Sequence, residues 1–147
     1  MAEYLAAQDS RTTLVCIDSY EEGELRGRFY HPAMEDGDCF HSLTQLLVKL
    51  ERLLDGARAP QSFTTARSFG RVIPVWPEER FEAAPRSGKL ATLSVRILFR
   101  RNATWQGTVT WLEGNETGNF RSVLELILLV DSALRRAGDG GLRRAEA

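Results

Sequence analysis

The stretch FRSVLELILLVDSAL, Phe120 to Leu134, decides how this chain is read. Val123, Leu124, Leu126, Ile127, Leu128, Leu129, Val130, Ala133 and Leu134 leave little room for a polar face. This predicts a helix wrapped in protein on most sides. It is too short, and too interrupted by Glu125 and Asp131, to span a bilayer. The rest of the chain has to supply what this helix packs against.

Immediately upstream, Leu93, Val95, Ile97 and Phe99 alternate with Ser94, Arg96, Leu98 and Arg100. After Arg101-Asn102-Ala103, Trp105, Gly107, Val109 and Trp111 alternate with Gln106, Thr108 and Thr110. A period of two on both sides of a short turn predicts an antiparallel hairpin with one apolar face. A loop containing Gly114 and Gly118 then leads into the helix.

The same series occurs earlier. Val15 and Ile17 alternate with Cys16, Asp18 and Tyr20, Glu21-Glu22-Gly23 turns, and Leu25, Gly27 and Phe29 alternate with Arg26, Arg28 and Tyr30. Past the loop His31 to Asp38, FHSLTQLLVKLERLLDG sets Leu43, Leu46, Leu47, Leu50, Leu53 and Leu54 at helical spacing, with Gly56 as its expected stop. Ser42 with Gln45, and Ser122 with Glu125, have the spacing of a capping box.

Setting Phe40 against Phe120 gives an offset of 120 − 40 = 80, which also pairs Val15 with Val95, Ile17 with Ile97, Gly27 with Gly107, Ser42 with Ser122, Leu46 with Leu126 and Leu54 with Leu134. We expect an internally duplicated strand-strand-helix unit. The fold class is α+β, an antiparallel sheet with two helices packed on one face. One domain spans residues 1–137, with repeat 1 at about 14–56, a connection over 57–92 and repeat 2 at about 93–137; residues 138–147 read as a flexible tail. Met1 to Gln8 has the composition of a short helical turn. The connection carries Pro60, Pro74, Pro77 and Pro85, and only Ser62 to Phe69 reads as an additional strand. Gly27 and Gly107 fall on apolar strand faces, where they are expected to let a helix backbone approach the sheet.

The 147 residues, 43% apolar and 27% charged, can bury a core without disulfides or metal. A net charge of −1 argues against a general polyanion binder. Two cysteines, Cys16 and Cys39, and no apolar leader in MAEYLAAQDSR suggest a reducing, cytoplasmic setting.

His31, Asp36, Asp38, Cys39 and His41 form the one cluster of metal-ligand types. No CxxC or HExxH spacing accompanies it, so no metal and no cofactor are expected. A nucleophilic Cys39 with His41 as base is the only enzymatic reading, and without a phosphate loop or nucleophile elbow the chain reads as a non-enzyme. Trp105, Trp111, Phe29 and Phe99 share the phase that the helices cover and are expected to be core. The opposite sheet face is the expected binding surface: Arg26, Arg28, Tyr30, Arg96, Leu98, Arg100 and Gln106, with Tyr20 beside them. A second candidate is the apolar helix itself. Thr44, Val48 and Lys49 of the first helix correspond to Leu124, Leu128 and Leu129, so those three leucines form a candidate helix interface.

The runs WQGTVTWLE (Trp105 to Glu113), FRSVLELILLVDSAL, SRTTLVCIDSYEEGELRGRFY and QSFTTARSF resemble a family of short proteins from anaerobic Gram-positive gut bacteria that carries no assigned activity. The resemblance implies a bacterial cytoplasmic protein and transfers no catalytic residue. The expected function is a non-enzymatic protein-binding or adaptor module, a homodimer being one form of it. The alternative is a regulator that contacts nucleic acid, or a complex processing it, through the sheet-face arginines.

Overall fold

The computed structural model describes residues 11–58, 60–62, 64–70, 76 and 86–146, with side chains described as far as Asp139. Six strands form one antiparallel sheet: β1 (Thr12–Glu21), β2 (Glu24–Tyr30), β3 (Asp38–Phe40), β4 (Ala91–Phe99), β5 (Gln106–Trp111) and β6 (Glu116–Phe120). Among the described residues two helices complete it, α1 (Leu43–Ala57) after β3 and α2 (Val123–Glu146) after β6. The class is α+β, as the sequence predicts. Among the described residues no helix is long and apolar enough to cross a membrane. The expected turn at Met1 to Gln8 lies outside the described residues.

The strand order β3-β2-β1-β4-β5-β6 places the two hairpins back to back, with β1 against β4 at the centre. The registers follow the 80-residue offset. Ile17 pairs with Gly27 and Ile97 with Gly107; Gly27 pairs with Phe40 and Gly107 with Phe120. In the central pair Thr12 faces Arg96 and Cys16 faces Thr92, so Leu14 opposite Ser94 marks the middle of the arrangement. Each half therefore has three strands and a helix rather than two strands and a helix. The additional strands, DCF and ETGNF, are short sheet edges that carry no alternating apolar pattern.

Val15, Ile17, Leu93, Val95 and Ile97 point to the face that Leu46, Leu50, Leu54, Leu126, Ala133 and Leu134 cover, and they form one core. Both serine caps form, and the Gln45 and Glu125 side chains reach back one residue beyond the cap. Ser42 Oγ accepts from Gln45 N at 3.1 Å while Gln45 Oε1 accepts from His41 N at 2.7 Å. Ser122 Oγ accepts from Glu125 N at 3.2 Å and Glu125 Oε1 from Arg121 N at 2.9 Å. The serine bonds satisfy a first-turn amide of each helix, which is what starts it at its leucine stripe. α1 does not stop at Gly56. Arg58 takes the left-handed conformation (φ 51°) and its N–H closes the helix on Leu54 O at 2.8 Å. α2 runs on to Glu146, so the expected tail from residue 138 is helical as far as that residue.

Two glycines do a different job from the one expected. A side chain at Gly27 would run into the carbonyl oxygen of Cys16, and one at Gly107 into that of Arg96. The close neighbour is the adjacent strand, not a helix. Ser62 makes only an isolated bridge to Arg100, and residues 64–69 form no strand.

Candidate binding cleft

α1 packs over β2 and β3, and α2 over β4, β5 and β6. Between the helices lies an apolar cleft of about 60 Å³, floored by Val15, Ile17, Leu93 and Val95 and walled by Leu43, Leu47 and Leu50 on one side and Ile127, Val130 and Leu134 on the other. Tyr20 and Asp131 also line it, joined by a hydrogen bond of 2.6 Å from the phenol to the carboxylate. Arg135 Nε donates to the same carboxylate at 3.0 Å. The Tyr20 hydrogen bond, then Arg135, hold the Asp131 carboxyl below its ordinary range, and the same bond raises the Tyr20 hydroxyl. A charged acceptor makes this a strong hydrogen bond that fixes one edge of the cleft.

On the adjoining stripe of α2, one turn apart, Leu124 and Leu128 are 63% and 58% exposed. These are large apolar side chains in water, next in helical order to Ile127 and Asp131 of the cleft wall. Leu129, the third leucine of the expected helix interface, turns inward and packs on Gly118.

The expected sheet-face surface does not assemble as one patch. Arg26 is exposed and within 3.7 Å of Glu24, and Arg96 is exposed. Arg28 is largely covered. It pairs with Asp18 at 3.2 Å, reaches the Tyr30 hydroxyl at 3.3 Å and donates to Ser87 O at 2.9 Å. Tyr30 is buried with Leu14 and Cys16. What covers this half of the face is the segment 86–90. Leu90 N donates to Ile17 O, Lys89 N to Asp18 Oδ1 and Gly88 N to Thr92 Oγ1, and the Arg86 guanidinium lies 4.7 Å over the Tyr30 ring. Leu98 is half-buried, and Gln106 is tied to the backbone of Arg101 across the hairpin turn.

Arg100 lies on the opposite face, 2% exposed. A register shift between Ile97 and Phe99 inverts the alternation, so Phe99 emerges (48% exposed) and Arg100 turns under α1 to meet Glu51, Asp55 and Pro60 O. The matching shift between Ile17 and Ser19 sends Tyr20 to the helix side, off the face on which alternation places it. These two irregularities have no signature in residue type. Nothing in the alternating pattern marked Tyr20 or Asp131 as members of a shared site.

Cys39 Sγ stands 3.5 Å from His41 Nε2. Cys39 is 5% exposed, however, and lines neither the cleft nor the second cavity described below. The Cys16 thiol is fully buried, and burial pushes it up to about 11, which disfavours the thiolate. Among the described residues no group of three or more histidine, cysteine or acidic side chains is placed to hold a metal ion. Compared with protein families, with curated proteins and with solved structures, the chain matches none.

Proposed function

We propose that the chain is a non-enzymatic protein-binding module that seats an amphipathic helix of another protein on Leu124 and Leu128, at the lip of the interhelical cleft. The observation that carries this reading is the exposure of those two leucines beside an apolar cleft, since isolated apolar side chains need no explanation but a contiguous apolar strip does. The strip is bounded by two internally neutralised pairs, Arg121 with Glu125 at 2.8 Å and Arg135 with Asp131 at 3.0 Å. A partner helix with an apolar stripe and flanking charges of both signs fits that frame. The nucleic-acid reading loses support because Arg28 and Arg100 are ion-paired and lie on opposite faces. A bacterial cytoplasmic setting, and an origin of the two halves in an internal duplication, belong to the same proposal.

The test is affinity capture from the native host with wild-type, Leu124→Ser/Leu128→Ser and Arg26→Glu/Arg96→Glu chains as bait. Loss of a specific partner in the leucine variant, with retention in the arginine variant, is expected. The opposite pattern overturns the proposal. Sedimentation of the purified wild-type chain as a dimer that the leucine variant dissolves would assign the strip to a second copy instead.

A further inference from the structure

On the other side of α2, away from the interhelical cleft, a second cavity of about 100 Å³ opens between that helix and β5-β6. Its apolar walls include Leu93, Val109, Leu129 and Ala133, and Trp111, Glu116 and Arg136 complete it. We infer that this cavity binds a small carboxylate with an aliphatic body.

Three observations support this. First, at three places in the wall the residue of the other half, 80 positions earlier, is larger. Phe29 stands for Val109, Leu53 for Ala133, and Asp38 for Gly118. Asp38 there pairs with Lys49 at 3.2 Å, where the second half has only Leu129 against Gly118. The second half has the smaller residue at each of these places, which opens space well beyond the ~10–15 Å³ that one water needs. Second, Trp111 Nε1 is buried and has no hydrogen-bond partner among the described residues. A buried indole N–H without an acceptor is costly, and a ligand acceptor would relieve it. Third, the Arg136 guanidinium lies 5.2 Å from the centre of the Trp111 ring and pairs with Glu116, and both side chains are more than half exposed. The guanidinium has five N–H donors, more than the bond to Glu116 uses. An indole donor and the guanidinium N–H groups that Glu116 leaves unused, beside an apolar floor, fit a carboxylate with two acceptor oxygens and a hydrocarbon body.

The experiment follows the Trp111 indole N–H in ¹⁵N–¹H spectra, assigned by Trp111→Phe, during titration with 3-methylbutanoate and separately with 3-methylbutan-1-ol. Expected is a saturable shift of the Trp111 signal with the carboxylate, while the Trp105 indole, held by Glu51, stays in place. Arg136→Met should weaken binding about tenfold or more. Ala133→Leu and Val109→Phe, each borrowing the residue of the other half, should remove it; either variant with an otherwise unchanged amide spectrum suffices. No saturable movement of the Trp111 signal, an equal response to the alcohol, or binding that survives the filling substitution in a folded chain overturns the inference.

Discussion

Tyr20 and Arg100 occupy corresponding places 80 residues apart, and each reaches across to the helix of the other half. Tyr20 donates to Asp131 on α2, which also holds Arg135. Arg100 donates to Glu51 and Asp55 on α1, and Trp105 Nε1 donates to Glu51 at 2.5 Å. The acids and the arginine on the helices correspond as well, since 131 − 80 = 51 and 135 − 80 = 55. One crossing is a neutral phenol meeting an acid beside an exposed arginine. The other is a nearly inaccessible guanidinium between two acids. The backbone irregularity is the same in both strands, so the frame decides where a side chain crosses, and the residue type decides how much of its charge is taken out of water.

The hardest way to break this equivalence is through the glycines. Gly27→Ala and Gly107→Ala each drive a methyl group into a carbonyl oxygen of the adjacent strand, which cannot rotate away as a side chain could. Each should cost about 3 kcal/mol, the upper part of the range for overpacking. Urea unfolding of the two variants checks it. Equal losses uphold the correspondence of the halves, and a tolerated alanine in one of them would end it.

The crossings themselves should be unequal. Arg100→Met removes a buried cation from two acids, yet Glu51 and Asp55 are 37% and 60% exposed at the side chain and can recover water. The cost is therefore set below that of opening a fully buried pair, at about 2 kcal/mol. Tyr20→Phe loses one hydrogen bond to a half-buried carboxylate that keeps Arg135 and should cost about 1 kcal/mol. Chemical unfolding of both, and of the double variant, measures the difference. A Tyr20→Phe loss as large as that of Arg100→Met would show that the two crossings are alike in energy despite their chemistry.

Long alternations made much of this readable. Leu93 to Phe99 and Trp105 to Trp111 announce a hairpin, and the serine caps and leucine spacing announce both helices. Alternation fails at a bulge, because one added residue inverts every later assignment, and that is how Tyr20, Phe99 and Arg100 came to be expected on the wrong faces. The edge strands at Asp38–Phe40 and Glu116–Phe120 are too short and polar to show a period. Burial of Arg28 and Tyr30 depends on Arg86 to Leu90, whose hydrogen bonds are mostly made by backbone groups that side-chain identity does not reveal. Leu124 and Leu128 were legible as leucines added outside the stripe, where the first helix has the smaller Thr44 and Val48, whereas Leu129, which replaces Lys49, is claimed by Gly118.

The smallest expected difference lies at the helix caps, where one half uses an amide and the other a carboxylate. Gln45 accepts from His41 N, and Glu125 accepts from Arg121 N and from the Arg121 guanidinium at 2.8 Å. Those bonds, the side-chain one first, hold the Glu125 carboxyl down to about 2, against an ordinary 4.5. Because the folded value is the depressed one, the stabilisation is complete above about 4.5 and is lost as the pH falls toward about 2. Glu125→Gln makes the second cap like the first. It should lower stability slightly at neutral pH and flatten the loss of stability in acid, since an amide has no proton to gain. Unfolding free energies of the two chains measured across that pH interval should converge as the carboxyl protonates. Curves that stay parallel would mean that the Arg121–Glu125 contact contributes nothing beyond what Gln45 already provides at the other end of the sheet.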